Sequence, residues 1–399
     1  MTNPFQLRRK IIVTCSNRLA PWLEKEITEI GFVPVGRFKT GIELSGTLAD
    51  CMKLNMHLRC ASQVLFSLYR TTARNGEELY HEALKMDWEN IIPANGYFSI
   101  SSQVSNLSVN NELYANVKLK DAIADRFRKQ TGKRPDSGPL QNGTVIHLFW
   151  RDEQVELFAD TSGETLSKHG YRRIPGKAPM LESLASATLL ATRWDRRSPF
   201  INPMCGSSTL AIEAALLATN RRPGLYRNNY GFMHLNGYER SLYDRLRQEL
   251  EDSIVHPEGL RIIASDISCD AINISAINAG VAGVGSLIEL TVCPFEQTSI
   301  PQNESGIVFF NPEYGERLGN AEQLEGTYKA MGDFMKQQCK GYTGYVFTGN
   351  MDLAKKIGLK PDKRIEFYSG KIDCRLLEYS LYAGSRSPKI PAASNPEIC

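Results

Sequence analysis

From about Pro179 to Gly384, short apolar runs alternate with stretches of helical spacing, and every chemically suggestive segment falls where an apolar run ends. This alternation constrains the fold more than any other feature. It specifies an α/β architecture with an open, mostly parallel sheet and helices on both faces. Ligands of such sheets bind beyond the carboxyl ends of the strands. Phe200-Ile201 is a short apolar strand, followed by a glycine turn and a helix over Leu210 to Ala218. Leu260 to Ala264 is a strand ending at Asp266, with a helix from Cys269 to Ala279 behind it. Ser286 to Val292 is a third strand, and Gly306 to Phe310 a fourth that ends in Asn-Pro-Glu-Tyr. A helix from Glu322 to Gln338 leads to a strand over Gly344 to Phe347. Arg364 to Tyr368 and Asp373 to Tyr382 flank Ser369-Gly370, which predicts an antiparallel hairpin at the end of the sheet. Residues 385–399 carry three prolines and three serines and are expected to be a poorly ordered tail.

Two further regions precede this one. The first opens with the apolar strand Ile11-Ile12-Val13. Trp22, Leu23, Ile27 and Ile30 then fall at helical spacing, closed by Gly31. A strand at Gly41 to Leu44 and a helix from Leu48 to about Leu58 complete a small α+β unit. The second region, from about Glu77 to Asp160, collects basic residues. Tyr97 to Gln103 alternates as a strand, and Val117 to Gln130 reads as a helix with Leu119, Ile123 and Phe127 on one face. Lys118, Lys120, Arg126, Arg128 and Lys129 decorate the rest of that helix. Thr144 to Trp150 and Gln154 to Phe158 form two strands joined by a polar turn. A charged helix is by itself a solvated face. Here Lys133-Arg134, then Lys168, His169, Arg172 and Arg173, extend the positive character, and a basic surface beside the third region suits an RNA backbone.

At 399 residues the chain calls for two or three domains, divided here as 1–70, 71–165 and 166–384. The 42% apolar and 23% charged residues are those of a globular protein, and no run of 18 apolar residues exists to span a membrane. The first ten residues have no apolar core of a secretory signal. The nine cysteines are scattered without C-x-x-C pairs, so a reduced, cytoplasmic chain without a metal site is expected. A net charge of +3 is too small to argue for nucleic acid, and only the placement of the basic residues does so.

Three segments carry chemistry. Asn202-Pro203-Met204-Cys205-Gly206-Ser207-Ser208-Thr209 joins a strand to a helix, where small residues admit a ligand to the backbone and the helix start offers free N–H groups. Taken alone such a turn could bind a nucleotide or nothing. Asp266 ends the second strand, where a carboxylate can accept hydrogen bonds from both hydroxyls of a ribose. Its other reading is a helix cap, although Ser268 is better placed for that. In Asn311-Pro312-Glu313-Tyr314 the Asn311 carboxamide oxygen and the Pro312 carbonyl can accept both N–H groups of an exocyclic amine. That localises the amine lone pair, while Tyr314 can stack on the base. In isolation those four residues fit an ordinary capped turn better.

Taken together the segments resemble the THUMP-containing RNA methyltransferases, specifically the bacterial large-subunit ribosomal RNA guanine-N2 group. The resemblance runs from about Ile11 to Tyr382. It rests on Lys118-Leu119-Lys120-Asp121-Ala122-Ile123, Asp160 to Leu166, Gly170-Tyr171-Arg172 and Ala178-Pro179-Met180-Leu181-Glu182. The Asn202 to Thr209 loop, Arg222-Pro223-Gly224, Gly231-Phe232, Asn311 to Leu318 and Cys374-Arg375-Leu376-Leu377 complete it. It implies a ferredoxin-like unit, a THUMP RNA-binding module and a Rossmann-like class I methyltransferase domain with a seven-stranded sheet. S-adenosylmethionine would be the cofactor and RNA the partner, either 23S rRNA or a pre-ribosomal particle. Asn311, Pro312 and Tyr314 would be catalytic. Asn202, Met204, Cys205, Gly206, Ser208, Thr209, Asp266, Ile267, Phe295 and Asn311 would line the cofactor site. Lys118, Lys120, Arg126, Arg134, Arg172 and Arg173 would face RNA, and Cys205 and Cys374 would be packing residues.

The chain departs from the family pattern at three places. Asn202 and Ser208 stand where the loop usually has aspartate and glycine, and Glu313 replaces the second proline of Asn-Pro-Pro-Tyr. Cys293-Pro294-Phe295 occupies the place where an acidic residue often meets adenine, with Phe295 as a stacking substitute. Methylation of DNA adenine or of a protein amide, and an RNA-binding protein that kept the fold without catalysis, are the competing readings.

Overall fold

The computed structural model describes residues 4–106, 108–109, 111–176, 179–314 and 321–382. Strands β1 (Arg9–Thr14), β2 (Gly36–Phe38), β3 (Gly41–Gly46), β4 (Gln63–Thr72), β5 (Tyr97–Ser105), β6 (Asp136–Ser137), β7 (Thr144–Arg151) and β8 (Gln154–Asp160) form one eight-stranded sheet, ordered β2-β3-β1-β4-β8-β7-β5-β6. Strands β9 (Phe200–Pro203), β10 (Ile262–Asp266), β11 (Ile288–Val292), β12 (Ile307–Phe310), β13 (Thr343–Thr348), β14 (Lys363–Ser369) and β15 (Ile372–Ser380) form a second, ordered β11-β10-β9-β12-β13-β15-β14. The helices are α1 (Ala20–Glu29), α2 (Leu48–His57), α3 (Gly76–Leu84), α4 (Glu112–Thr131), α5 (Glu182–Ala191), α6 (Thr209–Ala218), α7 (Arg240–Asp252), α8 (Cys269–Val281), α9 (Ala321–Gln338) and α10 (Met351–Lys356).

The two N-terminal units share one sheet. β4 pairs with β1 on one side and with β8 on the other, Leu65 opposite Asp160 and Thr72 opposite Gln154. The division at residue 70 therefore falls inside a strand that serves both units. The α4 helix begins five residues earlier than periodicity predicts, because Asn111 caps it by accepting from the Leu113 N–H at 2.8 Å. It ends at Gly132, whose φ of 71° supplies the left-handed turn that other residues resist.

The second sheet is mostly parallel with an antiparallel terminal hairpin, as the sequence implies. β9, β10, β11, β12 and β13 run parallel, and β15 is antiparallel to β13 and β14. Both of its faces are covered, so β12 is apolar at every position, with Ile307 and Phe309 in one core and Val308 and Phe310 in the other. Its strand order reverses at β9, which has β10 on one flank and β12 on the other. That is the crevice in which ligands of such sheets lie.

A buried polar chain joins the halves. Glu26 of α1 accepts from the backbone N–H groups of Arg59 and Cys60. The Arg59 guanidinium donates to the carbonyls of Leu216 and Arg221 at 3.1 and 2.6 Å, at the far end of α6. His169 lies between the Arg59 carbonyl (2.9 Å) and a Glu213 oxygen of α6 (2.7 Å), and the Ser186 hydroxyl donates to the other Glu213 oxygen at 2.6 Å. His169 is 0% exposed, so it does not extend a basic surface as the sequence suggested. Burial opposes charge on both partners, but each outweighs it for the other: the His169 pKa is held above its ordinary value and that of Glu213 below.

Candidate active site

The loop after β9 holds three left-handed residues at the carboxyl edge. Met204, Gly206 and Ser208 have φ of 54°, 55° and 55°, left-handed at alternate positions, which lets the chain reverse into α6. Serine at 208 adopts the conformation that glycine takes at least cost. The loop is tied to its neighbours: the Cys205 N–H donates to the Ser265 carbonyl at 2.9 Å, the Gly206 N–H to Asp266 Oδ2 at 2.9 Å, and the Ser275 hydroxyl to the Gly206 carbonyl at 3.0 Å. Asp266 Oδ1 accepts from the Ser268 N–H at 2.9 Å, while Ser268 itself caps α8 through the Ala271 N–H. Asp266 is thus fixed at the rim of the loop and is not the helix cap. Ile267 beside it is 75% exposed, an apolar side chain left open at the edge of the crevice.

Two buried carboxamide oxygens lack a donor here. Asn202, at the end of β9, donates through Nδ2 to the Phe309 carbonyl at 2.9 Å, and its Oδ1 has no partner. Asn311, just beyond β12, likewise presents a buried Oδ1 without a partner. Buried acceptors are rarely left empty, because each forfeits the hydrogen bond it had in water. Donors from outside the protein would satisfy both. The ammonium of an S-adenosylmethionine methionine group suits Asn202, and an exocyclic amine suits Asn311, so the residues present fit the cofactor.

Glu313 is exposed and its carbonyl accepts from the Tyr328 hydroxyl at 3.3 Å, so its side chain leaves the pocket while its backbone stays anchored. Glu313→Pro is therefore expected to leave methyl transfer intact, which single-turnover rates would check. Tyr314 is partly buried edge-on against Phe347, ring centres 6.1 Å apart, and burial pushes its pKa up to about 12. It stays protonated at neutral pH and cannot serve as a base. Phe295 meets Phe310 and Phe334 edge-on, which commits much of its ring to the core. Thr209 Oγ1 accepts from Arg172 at 2.9 Å, so it belongs to the frame of the loop. Burial raises the Cys205 thiol to about 12 and also raises Cys374, neither of which favours a nucleophilic thiolate. Gly315 to Leu318 lie outside the described residues.

The basic residues do not form one patch. Lys118 is ion-paired with Glu77, and Arg126 bridges Asp87 at 2.5 Å and Glu89 at 2.6 Å, which neutralises that flank of α4. Arg172 is largely covered and donates to the Met180 carbonyl at 2.7 Å, with Glu182 3.6 Å away; it frames the loop rather than facing solvent. Lys120 lies 4.0 Å from Asp121, and the Arg134 and Arg173 side chains are exposed. A cleft of about 750 Å³ opens between the N-terminal half and this frame, lined by Gln141, Lys168, Arg172, Tyr226, Arg227 and Asn228 among others. The sequence reading missed Arg59, Glu26 and Glu213. A glutamate within the otherwise apolar Leu210 to Ala218 run was the available signal.

Comparison with known proteins follows this architecture. Residues 10–65 match the RlmL ferredoxin-like domain, residues 73–160 the THUMP domain, and residues 169–378 the RMKL-like methyltransferase domain. Proteins named ribosomal RNA large subunit methyltransferase K/L are similar along nearly the whole chain. The one from Syntrophotalea carbinolica is 30% identical over 96% of this chain and 55% of its own length, and that from Psychromonas ingrahamii 33% over 94% and 50%. The chain spans about half the length of these relatives. A candidate methyltransferase complexed with SAH superposes with a TM-score of 0.84 at 27% identity, covering 95% of this chain and all of that one. A predicted N6-adenine-specific DNA methylase from Listeria monocytogenes superposes with a TM-score of 0.84 at 28% identity, covering 96% and 99%. With the methyltransferase model matching more than half of its residues, behind ferredoxin-like and THUMP domains in the same order, this chain belongs to the RMKL-like methyltransferases.

Proposed function

We propose that this chain transfers a methyl group from S-adenosylmethionine to the N2 amine of a guanine in 23S rRNA, acting in the cytoplasm on the RNA or a pre-ribosomal particle. The observation that carries this reading is the unpartnered, buried Oδ1 of Asn311 beside the Pro312 carbonyl, at the carboxyl end of the strand next to the Asn202 to Thr209 loop. The names of the K/L relatives support the RNA and the ribosomal subunit. S-adenosylmethionine, when bound, supplies a methyl group already activated on a sulfonium. The protein therefore needs only to hold and desolvate the acceptor amine. Asn311 and Pro312 accept its two N–H groups, which draws the lone pair out of conjugation with the base. Tyr314 and the crevice walls hold the base once it has left the stack. Asn202 holds the methionine end and Asp266 the ribose.

Asp266→Ala should weaken S-adenosylmethionine binding by about 1.5–3 kcal/mol, the worth of hydrogen bonds to a charged group. Calorimetric affinity equal to wild type would remove Asp266 from the site. For RNA, the structure favours Lys120, Arg134 and Arg173 over the ion-paired Lys118 and Arg126 and the enclosed Arg172. Reversing the charge of the first three should flatten the salt dependence of rRNA binding by about one unit of slope per lost phosphate contact. Reversal without any change in slope would sink that surface.

The Listeria structure's name favours a second reading, methylation of an adenine N6 amine, which the same two acceptors would serve. Mass-spectrometric mapping of nucleosides from cells with and without the protein separates them. Loss of an N2-methylguanine in 23S rRNA supports the first reading, and loss of an N6-methyladenine instead replaces it with the second.

A further inference from the structure

The seam between α2 and the far end of α6 gathers guanidinium and imidazole groups whose buried nitrogens find no partner. Arg59 is 1% exposed; its Nη2 is used on two carbonyls, but Nε and Nη1 are buried without a partner. Arg222 Nε and both ring nitrogens of His57 are buried and unpartnered as well. These groups are neighbours. His57 ends α2, and a Cβ on Gly224 would fall 2.5 Å from the Met56 carbonyl oxygen, so the Arg222-Pro223-Gly224 turn lies directly on that helix. Arg59 in turn donates to the Arg221 carbonyl of the same turn. The charge of Arg196 acts on both Arg59 and Arg222, and that of Lys53 on His57.

Nearby carboxylates offset these charges in part, Glu213 and Glu26 acting on Arg59 and Glu26 and Glu29 on Arg222, but none accepts a hydrogen bond from the unpartnered guanidinium nitrogens. Both Glu26 oxygens are taken by backbone N–H groups, and both Glu213 oxygens by His169 and Ser186. Burial, then Arg59, pushes the Arg222 pKa down to about 10; burial, then Arg222, pushes that of His57 down to about 4. Both are strains that an anion would relieve. The unpartnered N–H donors of Arg59 and Arg222, with the one N–H of the neutral His57 beside them, suit a tetrahedral oxyanion, for which guanidinium groups are well shaped. We infer that Arg59, Arg222 and His57, rimmed by Lys53 and Arg196, form a binding site for one phosphate group. It is separate from the active site, because α6 runs roughly 15 Å from the loop at Thr209 to the seam. Its chemistry admits free inorganic phosphate or a phosphodiester of an RNA backbone.

The test uses the full chain, inorganic phosphate as probe, and Arg222→Gln, a partly exposed position where loss of charge removes repulsion and so spares the fold. Calorimetry at fixed ionic strength should show one equivalent of phosphate binding wild type in preference to chloride, about tenfold more weakly to Arg222→Gln, with S-adenosylmethionine affinity unchanged. An unmodified 23S rRNA fragment distinguishes the source. If the natural ligand is the RNA backbone, the fragment displaces phosphate and Arg222→Gln lowers the salt slope of RNA binding by about one. If it is free phosphate, both bind together and the slope is unchanged. Phosphate that binds no better than chloride, with RNA binding indifferent to Arg222→Gln, overturns the inference.

Discussion

Replacing Asn311 with alanine should slow single-turnover methyl transfer by roughly a hundredfold or more and leave S-adenosylmethionine affinity nearly intact, because the lost acceptor acts mainly as the amine lone pair turns toward the methyl group. The structure sharpens this expectation. Asn311 Oδ1 is buried with no donor of its own, so no internal hydrogen bond is lost on substitution and a fall in rate cannot be assigned to unfolding of that contact. Asn202 is the internal control: its Nδ2 supports β12 through the Phe309 carbonyl, so Asn202→Ala should affect both cofactor binding and stability. Equal transfer rates for wild type and Asn311→Ala would place the reacting amine elsewhere.

The second large effect is on stability. Glu213→Ala leaves His169 and the Ser186 hydroxyl without their acceptor in a fully buried setting, which typically costs about 3–5 kcal/mol. Chemical denaturation at neutral pH would measure it, and a loss under 1 kcal/mol would mean that the pair is not formed. The pair also sets a pH dependence. Glu213, with its pKa lowered on folding, contributes fully above its ordinary 4.5 and loses its contribution as pH falls through the depressed value. His169, with its pKa raised, contributes fully below its ordinary 6.5 and loses its contribution as pH rises through the elevated value. The gap between wild type and His169→Gln should therefore be widest between about pH 4.5 and 6.5 and narrow on either side.

What the sequence showed follows from the range over which each signal acts. The second sheet was legible because apolar runs, caps and turns are local: Asp266 ends β10, Asn311 follows β12, and the Ser369-Gly370 turn closes the terminal hairpin. The sharing of one sheet by the two N-terminal units was not legible, since β4 and β8 meet across some ninety residues and pairing partners leave no mark on either strand alone. The clustering of basic residues misled for the same reason. Lys118, Arg126 and Arg172 are basic in sequence, but their neutralising carboxylates or carbonyls come from α3, the segment before β5 or the start of α5. His169 shows the error most plainly, counted as surface charge and found wholly enclosed. The Asn202 and Glu313 departures were visible at once, whereas their consequences needed the hydrogen-bond partners around them.

Methylation of a large-subunit rRNA amine at the Asn311 pocket is what the proposed function requires. Its most direct test is single-turnover transfer of a labelled methyl group from S-adenosylmethionine to 23S rRNA lacking the modification, followed by nucleoside analysis. Label recovered in N2-methylguanosine at one site, and abolished by Asn311→Ala, is the predicted result. A protein that binds both S-adenosylmethionine and the RNA yet transfers no label to any fragment would contradict it, and would make the chain an RNA-binding scaffold that has kept the fold without the chemistry.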